Sequence, residues 1–271
     1  MQTSNPNLAP GFIHAKVAGE ESGARLVEFP DGFRCYTHTS VEETEFIYNE
    51  VFVRQEYLRG GGVLEDAACI LDVGANIGLF TLFAKARNPR AVVHAFEPIP
   101  ETFAVLKRNV ELHGLAADVR LHRSAVGARA SARRTFTFYP NMAGNSTATP
   151  SIKDGQREAL RRGLGDELTG FLFRPETRNA PVETISGFLA EEKVGTVDFL
   201  KIDVEGDEME VLKGIRPEHW PAIRQIAVEA HSDPLARDVT RHLEQAGFRV
   251  SAEGGLSTLP DVWDIFAVNT R

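Results

Sequence analysis

Cysteine is scarce in this chain: 271 residues hold two, Cys35 and Cys69, with no C-x-x-C pair and no cysteine–histidine cluster. That excludes a disulfide framework and a structural zinc site. Long apolar runs are also lacking. The first 30 residues contain no apolar core of the signal-peptide kind, and no stretch approaches the ~18 consecutive apolar residues of a membrane helix. The expectation is a soluble, cytoplasmic protein with no membrane partner. Positive charge is short as well. A formal net charge of −8 excludes a nucleic-acid clamp, which needs a basic footprint to meet phosphates, and the local pair Arg161-Arg162 reads as a solvated helix face. No internal repeat or low-complexity tract is present. What remains is an ordinary apolar fraction of 42%, enough for one sizeable α/β core with an N-terminal appendage.

The chain divides by its rhythm. Residues 1–67 show no strand–helix alternation and read as an N-terminal extension. It holds a short hairpin turning at Pro30-Asp31-Gly32 and a helix over Val41–Leu58, with Ser40 as its cap. That helix either packs on the main domain or lids a site. From Ala68 strands and helices alternate: strands over Cys69–Val73, Ala91–Phe96, Val119–His122, Val197–Ile202 and Ile223–Glu229, with helices over Asn76–Ala86, Pro100–His113 and Glu208–Ile215. The strands are short and continuously apolar, as buried parallel strands are. Gly247–Val250 and Ile265–Asn269 suit an antiparallel pair at the C-terminal edge. Thr135–Tyr139 alternates as an extra strand. The rhythm breaks between about 140 and 181, and an insertion there would overhang the carboxyl ends of the strands, where open α/β sheets bind ligands.

Three motifs carry chemistry. In Asp72-Val-Gly74-Ala-Asn76-Ile-Gly78-Leu79 a strand turns sharply into a helix whose first amides can face a ligand. The dinucleotide fingerprint would need glycine where Asn76 and Leu79 stand, so a nicotinamide dehydrogenase is disfavoured. The D-x-G-x-N-x-G pattern resembles instead the first motif of class I methyltransferases, which implies that Asp72 serves the methionine end of S-adenosylmethionine. Phe96-Glu97-Pro98 ends the next strand, and the Glu97 carboxylate there can accept both ribose hydroxyls. Ser124 and Ala125, after the third strand, are placed to border the adenine. The third motif is Lys201-Ile-Asp203-Val-Glu205-Gly206-Asp-Glu208. Three charges at the end of a buried apolar strand are costly unless they meet a ligand or each other, and alternation puts Lys201, Asp203 and Glu205 on one face.

Together these blocks resemble the FkbM family of methyltransferases, whose hallmark is K-x-D-x-E-G after the fourth strand. Glu45-Phe-Ile-Tyr-Asn-Glu-Val-Phe is similar to that family's helix ahead of the first motif, and Val182-Glu-Thr-Ile-Ser-Gly-Phe-Leu to its lead-in to the fourth strand. The resemblance spans roughly residues 40–231. It implies a Rossmann-like sheet with helices on both faces and methyl transfer from S-adenosylmethionine, commonly to a small-molecule hydroxyl in natural-product, sugar or glycolipid biosynthesis. The acceptor could be free or tethered to a carrier. An N-methyltransferase and a non-catalytic cofactor-binding partner protein stay open as alternatives.

On these readings Asp72, Gly74, Asn76, Gly78, Glu97, Pro98, Ser124, Ala125 and Asp203 would hold the cofactor, and Lys201, Asp203, Glu205 and His231 would do the chemistry. His231 ends the fifth strand in Val228-Glu229-Ala230-His231 and is the candidate base, since imidazole titrates near neutrality. Asp203 and Glu229 could instead hold a divalent metal, though a metal-free site is favoured. His38, His94, His113 and His122 have no comparable context.

Overall fold

The computed structural model describes residues 12–21, 23–254 and 262–270. In chain order it begins with strands β1 (Lys16–Glu21), β2 (Ala24–Glu28) and β3 (Arg34–Thr37), then helix α1 (Val41–Tyr48). The alternating part follows: β4 (Cys69–Val73), α2 (Leu79–Arg87), β5 (Val92–Phe96), α3 (Pro100–Leu112), β6 (Val119–His122), β7 (Ala125–Val126) and β8 (Ser131–Phe138). Next come α4 (Asp154–Leu164), α5 (Asp166–Leu172), β9 (Glu176–Glu183), α6 (Ile185–Glu191), β10 (Phe199–Ile202) and α7 (Glu208–Lys213). The last elements are β11 (Gln225–Ala230), α8 (Asp233–Gln245), β12 (Phe248–Gly254) and β13 (Trp263–Asn269).

Seven strands form the central sheet in the order β12-β13-β11-β10-β4-β5-β6. β13 runs antiparallel to both neighbours, while β4, β5, β6, β10 and β11 are parallel. The expected Rossmann-like sheet with a C-terminal antiparallel edge pair is thus present. Both faces are covered. Leu71, Leu200 and Ile226 pack under Phe188 of α6, Leu212 of α7 and Leu243 of α8, and Ile70, Val93 and Phe199 pack under Phe83 of α2 and Leu106 of α3. Double coverage explains why the parallel strands carry no polar alternation. Chain order reverses between β4 and β10, so their carboxyl ends flank a switch-point crevice, where such sheets bind ligands.

The N-terminal extension is a three-stranded meander β1-β2-β3 rather than a lone hairpin. It shares a core with the main sheet's helices: Val27, Phe29 and Tyr48 pack with Ile77, Leu79 and Val105. The expected helix over Val41–Leu58 is broken. Its α-helical part, capped by Ser40, gives way to a π-helix at Asn49–Arg54, a left-handed Gln55 (φ 52°) and a 3₁₀ turn at Glu56–Leu58. Glu50 lies on the π-helical turn and Tyr57 just past Gln55, and both stand near Asp203 and Glu229 at the sheet's carboxyl end.

The helix expected from Asn76 starts at Leu79, because Asn76 (φ 50°) and Gly78 (φ 94°) are left-handed and form the turn itself. The expected 140–181 insertion is shorter than its composition suggested. β9 returns through residues 176–183 to pair antiparallel with β8 and parallel with β7, making a second three-stranded sheet.

Candidate active site

A cleft open to solvent lies over the carboxyl ends of β4, β5 and β10. Gly74, Asn76, Glu97, Pro98, Ser124, Ala125 and Asp203 line it, and Ala143, Gly144 and Ser146 from the insertion roof it. Gly74 is obligatory here: at φ +78° a Cβ would lie 1.8 Å from the Asp203 carbonyl oxygen, so only glycine lets the β4 turn pass the end of β10.

Two features of the cleft fit a nucleoside cofactor. Glu97 Oε2 accepts the Asn76 N–H at 3.0 Å and Oε1 accepts the Ile99 N–H at 2.8 Å, so two backbone amides fix the carboxylate. Each oxygen keeps a lone pair for a ribose hydroxyl. Burial pushes this carboxyl up to about 7, against the lowering effect of the two amides. Ser124 Oγ is buried on the cleft wall with no hydrogen-bond partner, the kind of vacancy that a base edge fills.

Two residues expected at the cofactor stand elsewhere. Asp72 is fully buried behind the cleft, where Oδ2 accepts the Thr81 hydroxyl at 2.6 Å and Oδ1 lies 3.3 Å from Lys201 Nζ. Gly78 is likewise off the cleft wall, and its missing side chain makes room for Leu106, whose Cδ1 would lie 2.6 Å from a Cβ. Both shape the turn from beneath. Lys201, expected among the chemical groups, is also a brace. Its Nζ donates to the Gly74 carbonyl at 2.7 Å and faces Asp203 Oδ2 at 3.4 Å. Burial alone would lower its pKa, but Asp203, Asp72 and Glu229 outweigh burial and raise it.

Beside the cleft, His231 stands among carboxylates. Its Nε2 is 3.0 Å from Glu205, 3.6 Å from Glu229 and 3.9 Å from Asp203, while Nδ1 is 3.1 Å from Glu208. Burial pulls the imidazole down, yet Glu205 and Glu208 hold it well above its ordinary value. The surrounding carboxylates thus favour the imidazolium over the neutral ring that a base requires. Glu229 is raised by burial and by Asp203. Glu205 does not continue the β10 alternation. It sits past the strand in a left-handed conformation (φ 58°), where it meets both His231 and Lys153.

Several site residues escaped sequence reasoning. Lys153 reaches in from the 3₁₀ turn Pro150–Lys153 of the insertion. The Tyr57 hydroxyl lies 2.9 Å from Asp203 Oδ2 and 3.2 Å from Glu229 Oε2, so its one proton bridges the two. Glu50 is buried beside them, its pKa raised by burial and by Glu229. Tyr57 falls within the segment read from sequence as a single helix, Val41–Leu58, where nothing marks it as a site residue. By contrast His94 and His122 pack against Phe96 and Phe188.

The sheet order, the switch-point cleft and the fixed Glu97 carboxylate define a class I methyltransferase. The fold agrees with a crystal structure of methyltransferase FkbM from Methylobacillus flagellatus KT, which aligns with a TM-score of 0.51 at 16% identity over 83% of this chain and 50% of that one. The model of the methyltransferase FkbM domain matches residues 72–250, and the chain belongs to this family of S-adenosylmethionine-dependent methyltransferases. Among its relatives, the 31-O-demethyl-FK506 methyltransferase FkbM of Streptomyces tacrolimicus is 37% identical, with 84% of this chain and 90% of that protein covered. "Methyltransferase 1" of Beauveria bassiana is 35% identical with the same coverage.

Proposed function

We propose that this enzyme methylates a hydroxyl oxygen of a small molecule, with the acceptor bound where the cofactor cleft meets the Asp203–Glu229–His231 cluster. The observation that carries this reading is the position of Asp203, which lines the cleft and also belongs to the buried cluster at the β10 and β11 ends. A methyl on a sulfonium is already activated, so the protein's task is to align the acceptor oxygen and take its proton. As the oxygen–carbon bond forms and the sulfur–carbon bond breaks, the hydroxyl proton passes to the cluster. Glu229 is the group in the cluster we assign to accept it, in its ionised form, since burial and Asp203 raise that carboxyl to about 8 and so make it a stronger base than an ordinary carboxylate. The Streptomyces relative, named for a 31-O-demethyl substrate, supports oxygen over nitrogen as the acceptor atom.

A second reading has its own observation. Ligand atoms of Asp203, Glu205 and His231 lie within 4.8 Å of one another, and Glu208 on Nδ1 orients the ring as carboxylates orient metal-bound histidines. In that case Asp203, Glu205 and His231 would hold a divalent ion that polarises the hydroxyl. The metal-free version is favoured, because Lys153 and Lys201 already face Glu205 and Asp203.

The test is turnover to S-adenosylhomocysteine with EDTA and with Glu229→Gln. Metal-free chemistry survives EDTA, and Glu229→Gln lowers kcat by roughly 10²–10⁴-fold with little change in cofactor affinity. Loss on EDTA with recovery on Mg²⁺ or Mn²⁺ establishes the metal version. Activity that withstands both treatments refutes each.

A further inference from the structure

The methionine end of S-adenosylmethionine carries an ammonium, and Asp72, the carboxylate expected to meet it, is fully buried behind the cleft with Thr81 and Lys201. Asp203, which lines the cleft, is already matched by Lys201 and the Tyr57 hydroxyl. A different carboxylate stands just behind the lining of the cleft. Glu43, in the first turn of α1, accepts the Gly144 N–H on Oε1 at 2.9 Å. A Cβ placed on Gly144 would lie 3.0 Å from that oxygen and 3.4 Å from Asn76 Nδ2. Gly144 and Asn76 both line the cleft, so Glu43 adjoins it where the β4 turn and the insertion roof meet.

Glu43 lacks a counterpart. Its Oε2 is shielded from solvent and has no hydrogen-bond partner. Among the described residues no lysine, arginine or histidine pairs with it, and the nearby charge that acts on it is another carboxylate, Glu205. A shielded carboxyl oxygen without a donor is costly, and an incoming cation removes the cost. From this juxtaposition we infer that Glu43 receives the ammonium of the cofactor's methionine end and, through Gly144, couples cofactor binding to the placement of the insertion over the cleft. The inference rests on the cofactor assignment of the cleft. Its balance agrees with the titration of the group: burial, reinforced by Glu205, lifts the Glu43 carboxyl to about 7 against the neutral donors Thr39, Gly144 and Ala143, with no cation among them. A cation beside it would reverse that shift.

The experiment is calorimetric titration of wild type, Glu43→Gln and Glu97→Gln with two probes. One is S-adenosylhomocysteine, and the other is 5′-methylthioadenosine, which keeps the nucleoside and sulfur but has no amino-acid ammonium. Glu43→Gln keeps a carbonyl oxygen for the Gly144 amide. It should weaken S-adenosylhomocysteine at least tenfold and leave methylthioadenosine within about twofold, whereas Glu97→Gln should weaken both. Equal weakening of the two probes by Glu43→Gln would reduce Glu43 to a prop for the roof and overturn the inference. So would unchanged binding of both. Failure of the wild type to bind either probe would instead strike the cofactor assignment. A thermal melt of unliganded Glu43→Gln within about 2–3 °C of wild type verifies that the variant is folded. Glu43→Asp provides a second charged variant, which should recover part of the S-adenosylhomocysteine affinity.

Discussion

Replacing Lys201 by methionine isolates what the K-x-D-x-E-G block does for the fold. The ammonium is buried and donates to the Gly74 carbonyl at 2.7 Å while facing Asp72 at 3.3 Å. Methionine matches its length and keeps the packing, so the loss is electrostatic. Asp72 is fully buried, and once the cation is removed its remaining hydrogen bond is the one from Thr81. Breaking one side of a buried pair costs about 3–5 kcal/mol, because the remaining charge is uncompensated. At the scale of a chain this size that is a fall of roughly 10 °C in the thermal midpoint. Asp72→Asn in the same chain removes the stranded charge and keeps an acceptor for Thr81. The double variant should therefore regain about 2 kcal/mol or more over Lys201→Met alone, a coupling that contacting residues show and distant ones do not. Urea unfolding of wild type, both single variants and the double variant measures it. A Lys201→Met penalty under about 1 kcal/mol, or a double variant no more stable than Lys201→Met, would refute the brace.

Two further outcomes follow from the cleft. Glu97 accepts ribose hydroxyls best when ionised, and its carboxyl is raised to about 7. Affinity for 5′-methylthioadenosine, which has no ammonium for Glu43, should therefore weaken as pH falls below about 7, by at most tenfold per unit, and Glu97→Gln should flatten the profile. In the unliganded protein the same raised pKa means stability declines as pH climbs from the ordinary carboxylate range through about 7, which thermal melts at stepped pH can follow. Gly74→Ala would set a methyl 1.8 Å from the Asp203 carbonyl at φ +78°. It should abolish measurable S-adenosylhomocysteine binding, and an affinity near wild type would contradict the close passage of β4 and β10.

The sheet was legible because its strands announce themselves locally. Cys69–Val73 and Phe199–Ile202 are short apolar runs ending in charge and glycine, and their parallel order follows from the helices between them. The clustering of Asp203, Glu229 and His231 was legible for the same reason: strand ends in a parallel sheet lie side by side. Roles below and above those ends were not legible. Asp72 and Asp203 look alike in sequence, and only the burial of Asp72 beside Thr81 and Lys201 separates them. Tyr57 and Glu50 lie on a segment whose spacing suggests one helix, whereas a π-turn and the left-handed Gln55 interrupt it. Lys153 and Glu43 come from 52 residues before Glu205 and 101 residues before Gly144 respectively. No local pattern encodes such partners, because tertiary packing alone brings them together.

The proposed acceptor chemistry is tested most directly by supplying S-adenosylmethionine carrying a carbon-13 methyl group, together with a panel of polyols, hydroxylated macrocycles and amines. Carbon NMR then reads the atom that receives the label. Methyl transfer to a hydroxyl of one or more acceptors, with the label in a methoxy signal that disappears in Glu229→Gln, is the expected result. Label appearing in N-methyl signals, or a methoxy yield unchanged by Glu229→Gln, would contradict oxygen methylation at the Asp203–Glu229–His231 cluster.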